Sequence, residues 1–259
     1  AHARNIVGAA IIAGGPWGCA ESAFADIAGS GATALNAMKA VNGCMLNLMA
    51  MWGVPDAAAL ARRATDFAER GLVDPIDSVV RGRVYLFSGQ EDGVVRPPIV
   101  AAAADFYRRL GMAPGNLKIV THLPAGHAFI VEDGAGACGR TEKPFIADCD
   151  YDQAGSLLSH IYGGLSPHAD KPDGDFVVFD QSPFGSPSGP GTQLASEAVV
   201  YVPKACRDAP GCRVHVAFHG CAQSRREVGD AFVLGAGFAR WADTNRLVVL
   251  FPQIEAGSG

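Results

Sequence analysis

The chain has 259 residues, 49% of them hydrophobic and 18% charged, and its 21 Lys and Arg against 26 Asp and Glu leave a formal net charge of −5. That apolar content is ample for the core of one large α/β domain, and an acidic balance without clustered Lys and Arg excludes nucleic acid as a main partner. No apolar run approaches the roughly 20 residues that cross a bilayer, so no membrane insertion is expected and a neutral ligand or substrate fits best. The start, Ala1-His2-Ala3-Arg4, has neither an initiator Met nor a signal-peptide pattern, which reads as a mature form or a fragment.

Strands are predicted over 6–13, 83–88, 117–122, 176–179, 198–202, 213–219 and 247–251. Several of these runs are apolar throughout, the pattern of parallel strands covered on both faces. Between them, helices are predicted over 56–70, 97–110, 152–161 and 225–244. Asp56 after Pro55 is a natural N-cap, and Gly71 and Gly111 are natural stops. Residues 164–174 and the Pro/Gly/Ser-rich 182–196 read as loops within one domain, because strands resume on both sides. This alternation predicts a single α/β domain over 1–259. A Gly-x-Gly-x-x-Gly match at Gly134, Gly136 and Gly139 leads into Arg140-Thr-Glu-Lys-Pro144, which opens no helix, so nucleotide binding is not expected there.

Seven cysteines without a CxxC pair argue for disulfides rather than a metal site. Cys206 and Cys212 flank a turn, and Cys138 and Cys149 bracket a Gly-rich loop, so both pairs read as local staples, with Cys19 and Cys44 a third candidate. Cys221 is left over, either as a buried thiol or with its partner outside this chain. Disulfides favour a secreted or periplasmic protein.

The chemistry concentrates at three strand ends. After the strand at 83–88 come Gly89, Glu91 and Asp92, carboxylates placed where one could hold a histidine in a fixed tautomer. After the strand at 117–122, His127 sits in a glycine turn, where a general base can project into a cleft, while His122 is still at the strand end and reads as a packing or hydrogen-bonding residue. His215 within a strand, His160 in a helix and His168 in a loop are weaker candidates. The third strand end is VHVAFHGCAQ (214–223), an apolar strand running into His219-Gly220-Cys221, where acyl transfer needs a backbone N–H aimed at an oxyanion. A Gly-x-Ser-x-Gly elbow is missing: Ser30, Ser88, Ser186 and Ser188 all fail the pattern, and so does Cys221.

Taken together, AIIAGGPWGCA (10–20), FSGQED (87–92), AGHAF (125–129), FIADCDYD (145–152), FDQSPF (179–184), HVAFHGCAQ (215–223), WADTN (241–245) and FPQ (251–253) resemble the extracellular-type poly(3-hydroxybutyrate) depolymerases of the esterase branch of the α/β-hydrolases. The resemblance implies an α/β-hydrolase fold with a mostly parallel central sheet, helices on both faces and a circularly permuted order, in which the nucleophilic serine precedes the acid, base and oxyanion segments. It implies Asp92, rather than Glu91, as the acid, His127 as the base and the Cys221 N–H as an oxyanion donor. The serine is expected upstream of Ala1, and a Trp-rich segment holding the partner of Cys221 is expected beyond Gly259. Trp17 could line the acyl pocket. The implied reaction is hydrolysis of a polyester polymer or its oligomers through an acyl-enzyme, without metal or cofactor, and a separate substrate-binding domain could lie outside this chain. A short-chain or feruloyl-type esterase and a non-catalytic hydrolase-like binding domain are the rival expectations.

Overall fold

The computed structural model describes residues 3–20, 30–47, 53–134, 136–185, 194–208 and 210–254. Ser186 and Ser188 lie outside the described residues. Two compact units emerge. The first comprises Ala1–His127, Cys138–Thr141 and Leu157–Gly163, and the second Ala128–Ala137, Glu142–Ser156 and Gly164–Gly259.

The first unit is built on a parallel sheet in the order β1-β2-β3, formed by β1 (Gly8–Ile12), β2 (Arg83–Phe87) and β3 (Leu117–Val120). Its helices are α1 (Ser30–Val41), α2 (Ala57–Glu69), α3 (Ile76–Val80) and α4 (Pro97–Arg109). The predicted cap of α2 is present: the Asp56 carboxylate accepts the N–H groups of Ala58 and Ala59 at 2.9 and 3.0 Å, and Gly71 ends the helix region at φ +71°. Those two donors hold the Asp56 carboxyl below its ordinary value. α4 opens on Pro97 and Pro98, whose missing N–H groups cost nothing in a first turn, and stops at Gly111, φ +91°. Leu86, Ile99, Val100 and Ala103 pack β2 against α4 with negligible exposure. A second cluster joins Cys19, Cys44, Leu60, Ala64 and Phe106, and the Cys19–Cys44 disulfide lies within it. α1 and α3 were not expected, although Ala32, Ala34, Leu35, Ala37, Met38, Lys39 and Ala40 are good helix formers that favour α1.

In the second unit β4 (Phe129–Val131) pairs in parallel with β5 (Ile146–Asp148), three residues apiece and too short to show a period. A four-stranded sheet in the order β6-β7-β9-β8 uses β6 (Asp175–Asp180), β7 (Glu197–Val202), β8 (Arg213–Val216) and β9 (Leu247–Phe251). β6 and β7 are antiparallel, as are β7 and β9, while β8 runs parallel to β9. Among the described residues β8 is an edge strand of this sheet, and Val214 and Val216 are exposed rather than covered on both faces as the apolar run suggested. It also ends at Val216, short of the expected 219.

α5 (Gln153–Tyr162) matches its prediction to within a residue. The expected helix over 225–244 is instead three pieces, α6 (Arg225–Val228), α7 (Ala231–Gly235) and α8 (Phe238–Asn245), because Gly229 and Gly237 take φ of +63° and +82°, which no right-handed helix continues through. Phe129, Phe232, Phe238 and Phe251 form the aromatic centre of this unit, with ring centroids 5.5 to 6.4 Å apart. Cys206 and Cys212 form the expected disulfide, and Cys138 and Cys149 are also disulfide-bonded. No helix among the described residues is long and apolar enough to cross a membrane.

His215 on β8 stacks its ring 5.2 Å from that of Phe238, and burial pushes its pKa down to about 4 from an ordinary 6.5. The unfolded chain therefore takes up a proton that the folded chain refuses. Stability is complete above about pH 6.5 and falls as pH drops towards about 4. Solvent reaching the half-buried ring reduces the effect, so a loss on the order of 2 kcal/mol is expected over that range. Thermal unfolding of His215→Leu against the parent at several pH values should show a flatter acid limb for the variant; parallel limbs would assign the acid sensitivity to other groups.

Candidate active site

β2 ends at Phe87, and the chain turns through Ser88 to Val95 before α4 begins. This turn is sewn to the loop after β3 by backbone hydrogen bonds. Ser88 N–H donates to Val120 C=O at 3.0 Å, Gln90 N–H to Leu123 at 2.9 Å and Glu91 N–H to Ala125 at 3.0 Å. Gly89 is needed at the crossing, since a Cβ there would run into the Ala125 carbonyl. Gly126 is needed for the same reason on the other side: a Cβ would stand 2.7 Å from the carbonyl oxygens of both Gly139 and Arg140.

This stitching delivers Asp92 and His127 to one another. Asp92 is only 3% exposed, and its Oδ2 lies 2.9 Å from His127 Nδ1. Its Oδ1 accepts the N–H groups of Val94 and Val95, each at 2.8 Å. A buried carboxylate is costly unless paired and hydrogen-bonded, and three donors meet that cost. The backbone of His127 is held as well, its N–H donating to Thr141 Oγ1 at 2.8 Å, while Gly126 N–H donates to Cys138 C=O at 2.9 Å. A carboxylate accepting at Nδ1 requires the proton on Nδ1, which leaves Nε2 with a lone pair. Among the described residues nothing is hydrogen-bonded to Nε2, and the His127 side chain is 31% exposed. A neutral imidazole so held has its tautomer fixed and Nε2 open, the arrangement that a general base requires.

His122 is exposed at the end of the strand region, and the imidazole that Asp92 holds is that of His127. Glu91 is exposed and its N–H serves the loop stitching. Ser88 is buried with an unpartnered hydroxyl and leads into the Asp92 turn, and Ser30 opens α1; neither has the Gly-x-Ser-x-Gly surround of an elbow. Trp17 is on the loop after β1, as expected. It is 37% exposed and meets Phe67 of α2 edge to face at 5.4 Å.

In the second unit, Cys221 follows β8 and is an exposed free thiol, so the buried alternative is excluded. The turn at Gly220–Gln223 is closed by Gln223 N–H donating to Gly220 C=O at 3.2 Å, with Ala222 at φ +57°. Among the described residues the N–H groups of Cys221 and Ala222 have no acceptor. Sequence reasoning missed Thr141 and the side chain of Gln223 as parts of these arrangements. The FHGCAQ run contained the second signal, for an amide side chain three residues after Gly220, at the end of the turn, can bond back to the Gly220 N–H.

Glu132, Asp152 and His168 bring potential metal-ligand atoms within 4.8 Å of one another. Asp152 is already engaged, accepting Trp241 Nε1–H and Gly155 N–H at 2.7 Å each, and the Arg240 guanidinium lies 2.8 Å from His168 Nδ1. A cation is thus already at the imidazole, and the cluster is a hydrogen-bonded network.

A parallel β-sheet with an Asp and a His presented from the ends of neighbouring strands is the arrangement of an α/β-hydrolase, and comparison with known proteins agrees. The chain is 34% identical over 250 residues to a poly(3-hydroxybutyrate) depolymerase from Delftia acidovorans and 29% identical over 254 residues to a polyhydroxybutyrate depolymerase from Talaromyces funiculosus. Both alignments cover 95% of this chain, which spans 46% of the bacterial relative and 66% of the fungal one. Among solved structures, the PHB depolymerase of Penicillium funiculosum matches 96% of this chain and 71% of its own at 26% identity, TM-score 0.80. A substituted PHB depolymerase complexed with a 3-hydroxybutyrate trimer matches 98% of this chain and 73% of its own at 26% identity, TM-score 0.82. No family model matches. The chain is thus similar to poly(3-hydroxybutyrate) depolymerases over nearly its whole length, and spans about half to two thirds of the length of these curated relatives.

The fixed tautomer makes a direct prediction for the 259 residues as they stand. Proton NMR should show a strongly downfield, exchange-protected imidazole N–H that disappears in Asp92→Ala and in His127→Ala but persists in His122→Ala. Loss of the resonance with His122 instead would reassign the histidine.

Proposed function

We propose that the protein hydrolyses the ester bonds of poly(3-hydroxybutyrate) or related polyhydroxyalkanoates and their oligomers through an acyl-enzyme. The hydrogen bond between Asp92 and His127, with Nε2 left open, carries the reading. The attacking serine is proposed to come from outside the 259 residues, since no described serine occupies an elbow. Its Oγ attacks the ester carbonyl as its proton passes to His127 Nε2, and Asp92 steadies the resulting imidazolium through Nδ1–H. The tetrahedral oxyanion takes a hydrogen bond from the Cys221 N–H, with the thiol uninvolved. Collapse expels the alcohol, which recovers the proton from His127; water then attacks the acyl group with the same base, releasing the acid and the serine. Trp17 is proposed to meet the acyl chain. A secreted or periplasmic location is supported by the disulfides.

In a chain extended upstream to include the serine, His127→Ala should lower ester hydrolysis by several orders of magnitude and Asp92→Asn by roughly 10⁴-fold through the wrong tautomer. His122→Ala should change it little. Initial rates on a soluble 3-hydroxybutyrate oligomer check this, and equal effects of the two histidine substitutions would refute the assignment of the base. Clearing of a poly(3-hydroxybutyrate) suspension by the same extended chain supports the polymer as substrate; activity confined to short soluble esters would make it a short-chain esterase.

A further inference from the structure

The turn that carries Cys221 is not held by the backbone alone. Gln223 is 6% exposed, and its amide makes three hydrogen bonds. Oε1 accepts the Gly220 N–H at 3.0 Å, while Nε2 donates to the carbonyls of Pro144 and Phe145 at 3.2 and 3.0 Å. The partners leave one orientation of the amide, because an N–H needs the oxygen and two carbonyls need the nitrogen. Phe145 C=O also accepts the Phe129 N–H at 2.9 Å, so the glutamine ties the turn to the start of the β4–β5 pair. The far side of the turn is fixed by a second buried glutamine. Gln253 Oε1 accepts the Arg225 N–H at 2.8 Å, and Ile254 N–H donates to His219 Nε2 at 3.2 Å. Gly220, Gln223 and Arg225 thus have their N–H groups engaged, and those of Cys221 and Ala222 have no acceptor among the described residues.

We propose that Gln223 is a positioning residue for ester hydrolysis, its side-chain amide fixing the Gly220–Gln223 turn so that the Cys221 N–H is presented, outward and without a competing acceptor, to the oxyanion. This rests on the reading of Cys221 given above. The amide acts only through the turn; it donates nothing to the substrate. Ala222 at φ +57° is a conformation that L side chains rarely adopt, so the turn depends on these tethers. The hydrogen bond to the oxyanion is stronger in the transition state than in the bound ground state, so displacing the N–H by about 1 Å costs the transition state more and the loss falls on kcat.

The test uses the chain extended upstream through the serine and a soluble 3-hydroxybutyrate oligomer. Gln223→Met, close in volume but without the three hydrogen bonds, should lower kcat by roughly 10- to 100-fold with KM within about 2-fold. Gln223→Glu sets a carboxylate against two carbonyls and should be similarly slow at neutral pH. Its rate relative to the unsubstituted enzyme at the same pH should recover as pH falls, because a protonated Glu accepts from Gly220 and donates to one carbonyl again. Should Gln223→Met fail to fold, this ratio decides alone. A flat ratio, or wild-type kcat in either folded variant, overturns the positioning role. His127→Ala in the same assay separates the two claims. Its inactivity beside fully active Gln223 variants removes only the positioning role, whereas an active His127→Ala removes the reading on which it rests.

Discussion

The Asp92 carboxylate divides its oxygens between two tasks, one holding the backbone ahead of α4 and the other holding the imidazole of His127. The division follows from the sequence around it. Pro97 and Pro98 open α4 without N–H groups and the Arg96 N–H donates to Met45 C=O, so Val94 and Val95 supply the donors next before them, and Asp92 lies two and three residues ahead, within reach of both. One oxygen is thereby fixed and the other is aimed. The carboxylate is only 3% exposed, so its second oxygen is turned to His127 in the interior rather than to bulk solvent. The geometry of the Asp92–His127 pair is therefore a consequence of how the β2-to-α4 turn closes.

Glycine decides how closely the two loops approach. Gly89 passes within contact of the Ala125 carbonyl, where any side chain would part the loops and with them Asp92 and His127, and Gly126 passes within contact of the carbonyls of Gly139 and Arg140. In the second unit a different device does comparable work. There the exposed turn after β8 is pinned from both flanks by the buried side chains of Gln223 and Gln253, which satisfy backbone groups that no sheet ladder reaches. Rigid supports under an exposed turn are what a preorganised donor requires.

How much of this was legible in the sequence depended on the range of the interaction. The Asp56 cap, the glycine stops and seven of the nine described strands follow from local chemistry and were readable as such. Asp92 and His127 were readable as candidates because each ends a strand run in a glycine turn, but their pairing across 35 residues is a tertiary fact. β4 and β5 were invisible because three residues carry no period. The helix over 225–244 was overread because its apolar spacing continues through Gly229 and Gly237, and only the backbone angles reveal the breaks. The edge position of β8 was likewise hidden, for a run of valines does not say how many neighbours it has. Gln223 looked like a failed elbow glycine, although its use is to bond backward to Gly220.

The most direct measurement is active-site labelling of the upstream-extended chain with a fluorophosphonate, followed by peptide mass spectrometry. The account predicts covalent label on a single serine outside residues 1–259, formed rapidly in the parent and scarcely at all in His127→Ala, because the same imidazole must take the serine proton. Label on Ser88 or another serine within these residues, or labelling as fast without His127 as with it, would contradict it.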